Sequence, residues 1–310
     1  MSGSRRVLLL LGLSLALLIL GQIVLPGFLS PTQIANQLKI AAFLGLFALC
    51  QTLAMTAGGQ GLDLSVGAVA TLGGVLSAAL LPSLGTLAAG CCAVSAGLLV
   101  GMLNGAGIAV LDVPPLVATL ALASVINGGL IVGVSVFAPP NAAGPAVAAI
   151  GGNATYGVPN IVLVWFAVTA VALWLLLRSA WGRRLAATGS SATVALLSGS
   201  NTVVVRTAAY TLSGGLAAFT GFLLTGYVGQ AFLGLGNAYV LTSIVAAAIG
   251  GVALEGGRAS YLGVACAAIM MTVLVSLLTA INIGESGRQI IFGLTLLGFL
   301  VVDRFGRPTS

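Results

Sequence analysis

Apolar runs of roughly 20 residues, each closed by a Pro- or Gly-rich turn, recur along this whole chain. They fall at 7–25, 40–57, 64–81, 86–110, 115–136, 158–177, 207–229, 239–254, 259–280 and 288–302. A helix needs about 20 apolar residues to cross the hydrocarbon layer, and only helices or closed barrels satisfy their backbone groups there. The pattern predicts an all-α integral membrane protein of about ten transmembrane helices. Only 5% of the 310 residues are Asp, Glu, Lys or Arg, whereas a soluble domain carries roughly 25%. A water-facing surface cannot be assembled from this composition. Residues 1–310 therefore read as a single polytopic domain, with no stretch polar enough to form a soluble one. The N-terminal run, flanked by Arg5 and Arg6, reads as an uncleaved first span, because no small-x-small site closes it.

Basic residues orient the spans. With the N-terminus cytoplasmic, ten crossings put Arg5, Arg6, Arg178, Arg183, Arg184, Arg206, Arg258, Arg304 and Arg307 on one side, and Lys39 and Arg288 on the other. Both termini are expected to be cytoplasmic. Scattered singly or in pairs, these charges do not form a nucleic-acid groove.

Absences narrow the chemistry. There is no histidine, and no GK[ST] phosphate loop, since Lys39 is the only lysine and Ile40 follows it. Nucleotide hydrolysis, metal binding and His-based catalysis have no residues to carry them, so the chain is not expected to be an enzyme or to bind a cofactor. Cys50, Cys91, Cys92 and Cys266 lie in apolar stretches and read as small packing residues.

Asp63 and Glu255 sit in Gly-rich breaks, "GGQGLD" at 58–63 and "GGVALE" at 250–255. The two breaks share a pair of glycines (Gly58–Gly59 and Gly250–Gly251), then Leu and an acid at equal spacing, which suggests two related halves. An acid in such a break can line a solute path. It can equally be a tie: Asp63 can cap the helix beginning at Leu64, and Glu255 can pair with Arg258. Gly58, Gly59, Asp63, Ser65, Asn104, Gly250, Gly251 and Glu255 are the candidate pathway and helix-break residues. Polar positions within spans, Gln51, Thr52, Asn104, Ser124 and Asn127, can line a path or hydrogen-bond neighbouring helices.

The longest polar stretch is 178–206, expected on the cytoplasmic side. Within it "SSATVALLSG" fits a short helix with Ser190 or Ser191 as N-cap and Gly199 closing it. Such a helix can lie on lipid headgroups or dock a cytoplasmic partner.

Four blocks in order then resemble the permeases of ribose-type ABC importers, in the branched-chain amino acid and sugar permease superfamily. They are "MTAGGQGLDLSVGAVATLGG", "GMLNGAGIAVLDVPPLVATLALASVINGG", "GRRLAATGSSATVALLSGSNTVVVRTAAYTLSG" and "IVAAAIGGVALEGGRASYLG". The resemblance runs from about 30 to 305. It implies a permease in the bacterial inner membrane, dimerising or pairing with a sister permease. A cytoplasmic ATPase pair binding ATP and Mg would dock beneath it, and a periplasmic sugar-binding protein would deliver a monosaccharide or related small polar solute. Ser191, Val194, Ala195, Leu196, Leu197, Ser198 and Gly199, with Arg183 and Arg184 before them, would form the coupling helix that meets the ATPase. The sequence departs from the family pattern by an extra residue before Asp63, by Ala192–Thr193 where an acidic pair is common, and by Asn127 in place of a common Arg. A branched-chain amino acid or nucleoside permease is the alternative within the superfamily. From another class, an ion-coupled secondary transporter would use Asp63 and Glu255.

Overall fold

The structure is a computed structural model that describes residues 3–137 and 141–305. Arg307 and the side chain of Arg304 lie outside the described residues. The first four helices are α1 (Gly3–Val24), α2 (Pro31–Thr56), α3 (Val66–Ala109) and α4 (Pro115–Phe137). A short helix α5 (Pro145–Gly151) and a two-stranded hairpin, β1 (Ala154–Thr155) with β2 (Val158–Pro159), precede α6 (Asn160–Leu177). Then come α7 (Ala180–Ser190), α8 (Ala192–Leu197), α9 (Thr202–Val228), α10 (Asn237–Gly250), α11 (Tyr261–Ala280) and α12 (Glu285–Phe305).

Helices α1, α2, α3, α4, α6, α9 and α11 are long and apolar enough to cross a membrane. One of them is two helices joined, the two passes of α3. A straight helix of 44 residues would be about 66 Å long, twice the hydrocarbon thickness. Gly85, with φ +74° and ψ 172°, breaks α3 just after Pro82. The halves fold back on each other, because Asn104 Nδ2 donates to Ser65 Oγ at 2.8 Å across the hairpin. The runs at 64–81 and 86–110 are thus separate helices, divided where their turn chemistry predicts.

Helix α9 lies against both passes. Ala70 abuts Gly221 and Gly74 abuts Thr225 in the first, while Gly97 abuts Gly214 and Gly105 abuts Thr207 in the second. Rising numbers pair with rising numbers in one pass and with falling numbers in the other, so α9 is parallel to one and antiparallel to the other. Glycines at these points let backbones touch backbones, which is how membrane helices pack without a hydrophobic driving force.

Helix α2 is the most buried of the spans, surrounded by α6, α9, α10 and α11. Phe47 stacks on Tyr239 with ring centroids 4.7 Å apart. Tyr261 donates its hydroxyl to Gly45 O at 3.1 Å and accepts from Trp165 Nε1 at 3.2 Å. In contrast, α4 packs chiefly on α3 and turns an apolar face outward. One boundary and one pair of side chains differ from the sequence expectation. Helix α2 starts at Pro31 with Ser30 as N-cap, so Lys39 lies inside a helix, where its amine donates to Gly152 O. Cys91 and Cys92 face outward rather than into the packing, an orientation that apolar thiols tolerate against lipid.

Candidate functional site: a buried polar node and the junction below it

The break between α2 and α3 positions the one fully buried acid among the described residues, Asp63. Gln51, on α2, clamps the backbone of Asp63 from both sides. Its Nε2 donates to Asp63 O at 2.8 Å and its Oε1 accepts from Asp63 N at 3.2 Å. The Asp63 carboxyl then turns inward, 1% exposed. Oδ1 accepts from Ser65 N at 3.0 Å and Ser65 Oγ at 2.6 Å, and Oδ2 accepts from Ser213 Oγ of α9 at 3.0 Å. Asn104 donates to Ser65, and Thr119 of α4 accepts from Leu64 N at 3.2 Å. One short break thereby joins α2, both passes of α3, α4 and α9.

The capping expectation is not met: Ser65 is the N-cap of α3 and no side chain caps the helix's free N–H groups. Helix α3 begins at Val66, and Asp63 receives the N–H of Ser65, one position ahead of the helix. Asn104 is buried within this node. Ser124 faces outward and bonds back to Leu120 O at 3.0 Å, and Thr52 bonds back to Ala48 O at 2.7 Å. Gln51 was visible in sequence as a polar span residue. Ser213 and Thr119 were not, because nothing in a Ser-Gly-Gly or Ala-Thr-Leu string marks a partner 150 or 55 residues away. Among the described residues, three buried side-chain atoms on these helices have no hydrogen-bond partner: Gln37 Nε2, the Tyr210 hydroxyl and Asn104 Oδ1.

Glu255 behaves differently. It is exposed, as is Arg258, and among the described residues no ion pair joins them. The loop is closed instead by backbone, with Ala253 N donating to Arg258 O at 3.2 Å. The local ion pair expected from sequence is replaced by this turn, which two glycines of positive φ, Gly256 and Gly257, permit.

The two Gly-rich breaks meet. A Cβ on Gly58 would lie 2.7 Å from Gly189 Cα at the end of α7, and one on Gly256 would lie 2.9 Å from Gly189 O. Gly257 N donates to Thr56 O at 3.1 Å. The break after α2, the break after α10 and the segment leading into α8 therefore touch at one point, backbone against backbone, with the Ser190 hydroxyl beside Gly257. Beyond the junction the two breaks diverge. Helix α11 packs back on α10, with a Cβ on Gly250 falling 2.5 Å from Val264 N, whereas α3 leaves α2 for α9. The sequence likeness of the breaks is not repeated as the same local packing.

Ser191 caps α8, accepting from Val194 N at 3.3 Å, and Gly199 at φ +80° ends it, with Ser200 N reaching back to Ala195 O at 3.0 Å. This resolves the alternative in favour of Ser191 as N-cap. Ser190 instead belongs to α7, bonding to Ala186 O at 2.9 Å. Ala195 is the inward residue. Val194, Leu196 and Leu197 point away from the chain, 61%, 62% and 84% exposed. Arg183 and Arg184 are exposed on α7, whose buried side is Gly182, Leu185 and Thr188. Arg6 lies against Gly251, and Arg206 Nε donates to Ala57 O at 3.3 Å. Of the basic residues expected on one side, Arg6, Arg183, Arg184, Arg206 and Arg258 gather at the junction end of the bundle. Lys39 bonds toward the opposite end, at Gly152 beside the hairpin.

Comparisons with known proteins fit this architecture. The family model for the branched-chain amino acid transport system permease component matches residues 33–300. The chain is 30% identical over 291 residues to the autoinducer 2 import system permease protein LsrC of Salmonella choleraesuis, covering 89% of this chain and 79% of that one. It is 32% identical over 273 residues to the probable ABC transporter permease protein YphD of Escherichia coli, covering 88% and 81%. It is 28% identical over 315 residues to the fructose import permease protein FrcC of Rhizobium meliloti, covering 97% and 86%. No solved structure matches this chain. With its membrane-length helices, its interrupted spans and a family match over residues 33–300, this chain belongs to the permease components of the branched-chain amino acid transport system family.

Proposed function

We propose that this chain is the transmembrane permease subunit of a binding-protein-dependent ABC importer, carrying a monosaccharide or related small polar solute across the bacterial inner membrane. The family match and the relatives named for fructose and autoinducer 2 import support the reading. The observation that carries it is α8. Val194, Leu196 and Leu197 form an exposed apolar face on a helix too short to span, at the arginine-rich end of the bundle. This face takes a cytoplasmic ATPase, which binds the ATP and Mg. With α3 crossing twice, and α10 and α12 crossing once each, the bundle has ten spans with both termini cytoplasmic. A second copy, or a sister permease, completes the channel.

Work enters through α8 and leaves through the breaks. When the ATPases close, α8 is pushed, and the glycine junction passes that displacement to the ends of α2 and α10. A transporter needs two states with different contacts to solute, and an ATPase can shift their balance only through a contact that differs between them. Asp63, Ser65 and Asn104 hold the α2–α3 break in one shape, so that the break moves as a unit. No step of covalent chemistry belongs to this chain.

The test is uptake into vesicles holding this chain with its candidate ATPase and binding protein, with and without internal ATP. Uptake is expected only when all of these are present, and a panel of sugars then identifies the solute. Uptake driven by a proton or sodium gradient without ATP overturns the proposal. A sharper version replaces Leu196 and Leu197 with alanine. ATP-driven uptake is expected to fall at least about tenfold, the effect of losing about 1.4 kcal/mol of docking, with membrane insertion unchanged. Undiminished uptake would make α8 a helix that merely rests on headgroups.

A further inference from the structure

A tyrosine stands at the tip of the β1–β2 hairpin in a conformation that its side chain disfavours. Ala154 pairs with Pro159 and Thr155 with Val158, leaving Tyr156 and Gly157 as a two-residue turn. Both have positive φ, +52° and +82°. Such a turn suits Asn-Gly or Gly-Gly, and a bulky residue at the first position is strained. Tyr156 is fully exposed, so no contact within the chain offsets that strain.

The hairpin beneath it is firmly built. Thr155 Oγ1 donates to Asn160 Oδ1 at 2.6 Å, Asn160 Nδ2 donates to Ala149 O at 2.9 Å, and Asn160 N donates to Asn153 O at 3.0 Å. At its base, Gly152 O accepts from Lys39 of α2. The neighbouring segment is pinned to the end of α9, with Ala143 N donating to Gly229 O at 2.9 Å and Ala231 N donating to Asn141 O at 2.7 Å. A residue that breaks a local rule without a local gain, on a rigid mount, points to a contact outside the chain.

We infer that Tyr156 is a docking residue for the importer's solute-binding protein. The inference rests on the proposed importer function. The hairpin lies at the end of the bundle away from α7 and α8, the end a binding protein would approach. Residues 141–160 carry no Asp, Glu, Lys or Arg. That neutrality suits a protein surface recognised by an aromatic ring and a hydroxyl, whereas an anionic headgroup layer would call for basic residues. Through Lys39 the hairpin is tied to α2, the helix that ends in the Asp63 break. Docking at the tip therefore bears on the element that the ATPase moves from the other end.

The variant Tyr156→Asn separates docking from folding, because Asn is at home in this turn. The protein is reconstituted with its ATPase, and ATP hydrolysis is titrated with solute-loaded binding protein. Tyr156→Asn is expected to raise the half-maximal binding-protein concentration tenfold or more, with the maximal rate within twofold and a melting temperature no lower than wild type. Tyr156→Trp, which keeps an aromatic ring and a donor, is expected to stay within threefold of wild type. An unchanged half-maximal concentration in Tyr156→Asn overturns the inference. So does a lowered melting temperature in lipid with unchanged titration, which would place the ring in the membrane interface. Wild-type protein that does not respond to any binding protein would instead sink the importer reading itself.

Discussion

Gly214→Leu is expected to remove the folded protein. Helix α9 runs between the two passes of α3, and Gly214 is where it meets the second. A Cβ at 214 would sit 2.9 Å from both Cα and N of Gly101. These are backbone atoms on a helix held at both ends, so no side chain can swing aside. On the other flank a Cβ at Gly221 would fall 2.5 Å from the Ala70 carbonyl carbon, which leaves α9 no room to retreat. Even Gly214→Ala is expected to cost about 1–3 kcal/mol, the usual range for forcing extra carbon into a packed interior. Leucine adds three more carbons at the same point and separates the helices that carry Ser213 and Asn104. The measurement is the monodisperse fraction by size exclusion in detergent, with thermal melting for alanine. Gly128→Ala is the control: it lies on the outward side of α4 with nothing within 4 Å of a new Cβ, and is expected to melt like wild type. Wild-type yield for Gly214→Leu would mean that the α3–α9 contact is not a condition of folding.

That contact illustrates what a sequence of this kind discloses. The spans were legible because hydropathy is a one-dimensional property and the bilayer imposes its length. The hairpin in α3 was legible for a related reason, since Pro82 and Gly85 mark a turn whatever surrounds them. Glycines at 97, 101 and 105 permit close packing, yet nothing in their spacing says which helix approaches. Partner choice depends on how passes are arranged around α2, and no local signal encodes it. The same holds for the polar node. Asp63 stood out as an acid among glycines, but its role depends on Ser213 and Asn104, which arrive from distant passes. Conversely, the equal spacing of the two Gly-rich breaks pointed to related halves. Their shared meeting point at Gly189 depends on a third segment that the repeat does not contain. Arg258 and Glu255 show the opposite error. Adjacent opposite charges read as a pair in sequence, whereas in water-facing turns such pairs gain little and the backbone decides the geometry.

Asp63→Ala is the second large effect, and its companion Asp63→Asn separates the two functions the acid has been given. Alanine leaves the N–H and hydroxyl of Ser65 and the hydroxyl of Ser213 without their acceptor inside the bundle. Each buried donor so stranded costs about 1–3 kcal/mol, and the loss of all of them is expected to exceed about 3 kcal/mol. Folded yield should collapse, and ATP-driven uptake with it. Asparagine keeps one oxygen for Ser65, while its amide can donate to Ser213 Oγ once that hydroxyl turns away. It is therefore expected to restore most of the folded protein and uptake in proportion to it, with a melting temperature between alanine and wild type. An ion-coupled transporter predicts another pattern. There the charge itself is part of the cycle, so Asp63→Asn would melt like wild type and carry no solute. Melting and uptake measured on the same reconstituted samples decide between them. Uptake that tracks the folded fraction in both variants makes Asp63 the tie that holds the α2–α3 break against α9, and a stable but inactive Asp63→Asn would put its charge in the transport step.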